Sequence, residues 1–164
     1  MTDPFLSDAR ELLSETLDGI LGTLDGLDAD QLNARLGLDG ANSLAVIAVH
    51  ASKSARSWAA VAMGAELPAR DRPAEFRTVV ASPEAFLEEL RAAQKDALAY
   101  LSAEPALPWE DLRPTHPGPD GSTENVTGSW ALLHAMEHAR EHLSQMWLTR
   151  QALEDGRLSS RTTS

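Results

Sequence analysis

His134, His138 and His142 recur at every fourth position within Trp130–Leu153, so three of the five histidines in the chain fall on one predicted helical stripe. Residues four apart on an α-helix are separated by about 40° and about 6 Å, and two imidazoles so placed can converge on one ion through bonds of about 2.0–2.1 Å. Residues eight apart are separated by about 12 Å along the axis. The three therefore cannot share one ion, and a further ligand has to come from another element. Angular position ranks them against the apolar sector formed by Leu132, Ala135, Met136, Ala139, Leu143, Met146 and Trp147. His142 lies beside that sector, His138 about 40° further out and His134 about 40° beyond it. His138 and His142 are thus the inward pair, and His134 belongs at the mouth of the site or on the surface. His50, flanked by Val46, Ile47 and Val61, is the histidine on another predicted helix. His116, in the Thr115–Gly121 loop, is the weaker candidate for a third ligand.

Each histidine also has a plainer reading. A lone buried histidine is commonly a hydrogen-bonded core residue, and a histidine stripe is commonly solvated surface. The inward pair taken together with His50 favours a metal site. Imidazole donors suit zinc, nickel, iron or copper, and three protein ligands leave positions open for chemistry. His134–His138 and His138–His142 both satisfy the inverted zinc-protease pattern H-x-x-E-H. Those enzymes have large α+β chains with a distant carboxylate ligand, whereas little chain follows His142. A carboxylate-bridged di-iron bundle needs glutamate three residues before its histidines, and neither His138 nor His142 has one. Glu137 and Glu141 point about 60–100° away from the neighbouring ligands, which makes them poor general bases.

The elements that must position these residues can be read from period and punctuation. One helix follows Asp3-Pro4, carries Phe5, Leu6, Ala9, Leu12, Leu13, Leu17, Ile20, Leu21 and Leu24, and fades at Asp25-Gly26. A second, nearly apolar, runs from about Asn42 to Met63. A third begins at Ser82-Pro83-Glu84 and is stopped by Pro105. The fourth starts near Ser122–Asn125 and ends near Gly156. The connections Gly64–Ala81 and Glu104–Gly121 hold most of the prolines and glycines and contain no alternating run long enough for a strand. The expected fold is all-α, a four-helix bundle formed as one domain over residues 1–156 with a frayed tail at 157–164.

Composition narrows the function. A chain of 164 residues can bury a real core as one domain. It has no cysteine, so disulfides, thiolate zinc sites and a cysteine nucleophile are excluded, and any thiol chemistry needs an external thiol. A net charge of −11 disfavours nucleic acid, whose affinity rests on Lys and Arg. The start, MTDPFLSDAREL, is acidic where a secretory signal is basic and then apolar, and no stretch approaches about 20 uncharged apolar residues. A soluble cytoplasmic protein with no membrane partner is expected.

The stretches Asn42–His50, Arg70–Phe76 and Trp130–Gln145, with Leu148–Gln151, together resemble the DinB-like superfamily over roughly residues 5–153. The resemblance implies an up-down-down-up four-helix bundle with long connections. It places metal ligands on His50, His138 and His142, the trio that helix geometry also favours. The family's usual H-x-G-Q ending reads His142-Leu-Ser144-Gln145 here. Relatives include a mycothiol-dependent isomerase and bacillithiol transferases. The resemblance therefore implies a metal-dependent transferase or isomerase that uses a divalent ion, zinc or nickel, with a low-molecular-weight thiol and a small-molecule substrate. The alternative is a non-catalytic metal-binding or stress-response bundle with a structural metal. The apolar linker residues and Trp58 are candidates for a pocket wall or a homodimer contact.

Overall fold

The computed structural model describes residues 3–35, 40–118 and 121–156. The expected tail at 157–164 lies outside the described residues. Four long helices, Pro4–Gly22 (α1), Leu44–Met63 (α3), Pro83–Tyr100 (α5) and Gly128–Glu154 (α6), form the bundle. Two short helices, Ala29–Asn33 (α2) and Arg72–Glu75 (α4), lie in the connections.

Each long helix begins where a side chain takes up an orphan backbone N–H. Asp3 accepts from Phe5 N, Ser43 from Val46 N, Ser82 from Ala85 N and Thr127 from Trp130 N. Pro4 and Pro83 occupy first-turn positions whose N–H would be unbonded anyway. α3 ends at Gly64, whose φ of +65° suits glycine, and the N–H groups of Gly64 and Ala65 close back onto Val61 O and Ala60 O.

The chain departs from expectation around α6. Residues 122–125 do not begin that helix. Instead Asn125–Thr127 (β2) pairs antiparallel with Leu112–Pro114 (β1), in the segment read as strand-free. Three-residue strands, one ending in proline, show no alternation to detect, and Ser122–Asn125 offers capping residue types that the ribbon uses otherwise. The helix waits for Thr127.

Contacts along the helices fix their directions. Lys53 pairs with Glu89 and Arg56 with Asp96, so α3 and α5 run parallel. His50 faces His142 while Trp58 faces Trp130, so α3 and α6 run antiparallel. Gly19 abuts Leu143, and Arg150 donates to Thr23 O further along, so α1 and α6 run parallel. The bundle is therefore up-down-down-up. Because α3 and α5 are parallel, residues 64–82 must travel back along α3, a distance of about 30 Å. Arg56 accordingly donates to Ala69 O, Arg70 and Glu75 reach His50, and Val80 exchanges two hydrogen bonds with Asn33 of α2.

α3 packs between α5 and α6 and is buried almost throughout. Its alanines, Ala45, Ala48, Ala51, Ala55, Ala59, Ala60 and Ala62, let both neighbours approach. Leu13, Leu17 and Ile20 of α1, Leu90 of α5, and Leu132 and Leu143 of α6 fill the core, each contributing about 1.5–3 kcal/mol by burial. At Gly19 a Cβ would come within 2.8 Å of a Leu143 methyl, so a glycine lets α1 and α6 close up. Among the described residues no helix is long and apolar enough to cross a membrane.

Candidate metal centre

Packing α3 against α6 brings His50, His138 and His142 together. Their nearest ligand nitrogens lie within 4.8 Å of one another. The ring centroids of His138 and His142 are 4.4 Å apart, and His50 lies 5.2 Å and 5.1 Å from them. His50 is buried, while the α6 pair is half-buried.

The other two candidates lie apart from this group. His134 is stacked on Trp130 at 4.8 Å and meets the edge of Trp58 at 4.6 Å, so it belongs to an aromatic cluster one turn from His138. Trp58, a candidate for a dimer contact or a pocket wall, is half-buried in that cluster. His116 is half-buried, with Nε2 enclosed and without a hydrogen-bond partner among the described residues, and is not among the converging ligands. Its pKa is lowered first by burial and then by the charges of Arg70 and Arg56.

A carboxylate that the sequence reading did not single out completes the centre. Glu75, 2% exposed at the end of α4, takes His50 Nδ1 at 2.8 Å on Oε2. Arg70 donates Nε to Oε1 at 2.7 Å and Nη2 to Oε2 at 2.9 Å, a bidentate clamp. Burial pushes the Glu75 pKa up, but the hydrogen bonds and charges of Arg70 and His50 outweigh it, and the carboxyl is held below its usual range. An ionised carboxylate only accepts, so His50 Nδ1 carries a proton and Nε2 is the nitrogen left to face an ion. Arg70 Nη2 also lies 3.4 Å from Nδ1, but both are donors in this tautomer and its shorter bond to Glu75 is the effective one.

Gln145 acts in the same way from the solvent side. Its Oε1 lies 3.1 Å from His142 Nδ1, which assigns the proton to Nδ1 and frees Nε2. The serine in place of the family glycine is harmless, because Ser144 is exposed and its hydroxyl donates to Arg140 O. Burial, and then the neighbouring histidines and Arg70, push the His138 pKa down to about 3. His142 is also lowered, by burial first and with His50 adding to it, against opposing contributions from Gln145 and Glu141. These two rings are therefore neutral near pH 7, the protonation state a metal ligand needs. Glu137 and Glu141 are exposed on α6 and outside the cluster. Oriented imidazoles with a carboxylate behind one of them fit a borderline divalent cation such as zinc or nickel.

The sequence profile of the DinB superfamily matches residues 12–146. The chain belongs to the DinB superfamily. A crystal structure of a conserved protein from Enterococcus faecalis superposes with a TM-score of 0.70, covering 91% of this chain and 96% of that chain at 15% identity. At that identity the likeness is one of fold. No curated protein gives a sequence match. The histidine cluster of this DinB protein is compatible with metal binding. Glu75 escaped the sequence reading because a linker glutamate carries no periodic mark of burial. Two signals were available: Glu75 lies in Arg70–Phe76, a stretch that carries the family resemblance, and Asp71-x-Pro73 is a cap followed by proline that announces a short helix in the connection; Asp71 does accept from Ala74 N.

Proposed function

We propose that this DinB protein is a metal-dependent transferase or isomerase that uses a low-molecular-weight thiol, acting on a small electrophile. The observation that carries this reading is the convergence of three imidazoles, two of them half-buried and the third, His50, fixed from behind by Glu75. His50, His138 and His142 hold the ion, and bound there it supplies Lewis acidity that lowers the pKa of a thiol. Glu75 keeps His50 in one tautomer and orientation, and Arg70 keeps Glu75 ionised. Gln145 does the same for His142. The chain has no cysteine, so the nucleophilic sulfur comes with the cosubstrate.

Elemental analysis of the purified chain and of His50→Ala, His138→Ala and His142→Ala tests the ligand set. Occupancy should fall in each variant, and unchanged occupancy in all three would sink it. The thiol is tested by incubating metal-loaded protein with mycothiol, bacillithiol or glutathione and a panel of electrophiles. Turnover should exceed that of His142→Ala for at least one pairing, and its absence from every pairing counts against the reaction. A purely structural metal would instead show as a domain that melts on chelation.

A further inference from the structure

The outward face of α6 repeats Trp130, Leu133, Glu137, Arg140, Ser144 and Trp147 at alternating spacings of three and four, the seam of a coiled coil on a helix whose other side is already packed. Trp130, Leu133 and Trp147 are 47%, 54% and 52% exposed, and Leu148 beside them is 68% exposed. Trp147, read from sequence as part of the inward sector, therefore points outward. Four large apolar side chains on one helix exceed the scattered singletons of an ordinary surface. They form two groups, one near each end of the seam, with Glu137 and Arg140 between them. Both charged residues are exposed, and neither makes an ion pair within the described residues.

The order of these residues is self-complementary when the helix is reversed. In an antiparallel pair centred between Glu137 and Arg140, Trp130 meets the partner's Trp147 and Leu148, Leu133 meets the partner's Ser144, and Glu137 meets the partner's Arg140. The central ion pair forms twice, and apolar groups cover each other at both ends. A parallel pair would instead set Arg140 on the partner's Arg140 and Glu137 on the partner's Glu137. A two-fold axis needs one surface to match itself in this way.

We propose that this face of α6 is the interface of an antiparallel homodimer, with a second copy of the chain as its occupant. The proposal is independent of the metal reading. Since Trp130 stacks on His134 beside His138, the partner's Trp147 would also close the outer side of that aromatic cluster.

Analytical ultracentrifugation of the full chain over a concentration series tests the interface, with circular dichroism confirming that each variant is folded. The parent chain should show a monomer–dimer equilibrium. Leu133→Glu should abolish the dimer, and Arg140→Glu alone should weaken it by about tenfold or more. The double reversal Glu137→Arg with Arg140→Glu should restore it, because the antiparallel arrangement pairs the swapped charges again. The chain has no native cysteine, so Leu133→Cys with Ser144→Cys should also give an intermolecular disulfide under mild oxidation. A chain that stays monomeric, a dimer indifferent to Leu133→Glu and Arg140→Glu, or a double reversal that fails to recover association would each overturn the interface.

Discussion

Arg70 and Arg113 lie against opposite ends of α3 and are neutralised by different partners. Arg70 has a carboxylate, Glu75, and passes its effect on to His50. Arg113, 2% exposed on β1, is hydrogen-bonded among the described residues by carbonyl oxygens, donating to Ala62 O in the last turn of α3 and to Leu107 O and Pro108 O in the following loop. Among the described residues its Nε has no hydrogen-bond partner, and burial lowers its pKa against the opposing charge of Asp111. Gly128, at the start of α6, lies so close to this guanidinium that a Cβ would collide with it. One arginine knot thus locks helix ends and the other orients an imidazole. A buried cation serves the fold when dipoles neutralise it, and can serve a site when the neutralising group has a second hydrogen bond to offer.

The sharpest separation of the two knots should come from Arg113→Ala. It leaves three carbonyls unpaired around a void, with an expected loss of about 3–5 kcal/mol in urea unfolding and no change in the metal content of the folded fraction. Gly128→Ala should cost about 1–3 kcal/mol by the same readout, because the added methyl displaces the guanidinium. At the other knot, Glu75→Gln should lower metal affinity by about 10–100-fold in a competition titration while costing less stability than Arg113→Ala. Equal loss of stability with unchanged affinity would erase the distinction between the knots.

Acid should also act on the histidine end. The folded-state pKa of His138 is depressed from 6.5 to about 3, so between those values the unfolded chain binds more protons and stability falls as the pH is lowered. Glu75 acts in the same direction. Its depressed folded-state pKa gives stability that is present above about 4.5 and lost as pH falls through the folded value. Metal-free protein melted across pH 7 to 3 should therefore lose stability steadily, and His138→Ala should flatten the upper part of that slope. An unaltered slope in His138→Ala would place the titrating group elsewhere. The smallest effect is expected for Ser144→Gly, about 0.5 kcal/mol of helix propensity with metal occupancy unchanged.

Local chemistry made most of this architecture legible. Asp3-Pro4 and Ser82-Pro83 mark helix starts because cap and ring act within one turn, and the four-residue spacing of His138 and His142 is a property of one helix. The angular ranking placed His134 outside the ligand set, and the group of converging nitrogens is made by His50, His138 and His142. What was hidden depends on distant partners. Glu75 is 25 residues from His50, Trp147 belongs to the apolar composition of α6 yet not to its buried side, and β1 exists only because β2 pairs with it.

The returning connection has one more consequence. Glu75 sits on a four-residue helix laid over the bundle and not within one of its four long members. Opening of residues 70–76 would therefore free His50 without unpacking the core, so that the order of the centre and the order of the bundle are separate cooperative units. Amides of α4 should exchange with solvent long before those of α3, and a cation bound by His50 should slow that exchange from a distance, making the segment a reporter of occupancy.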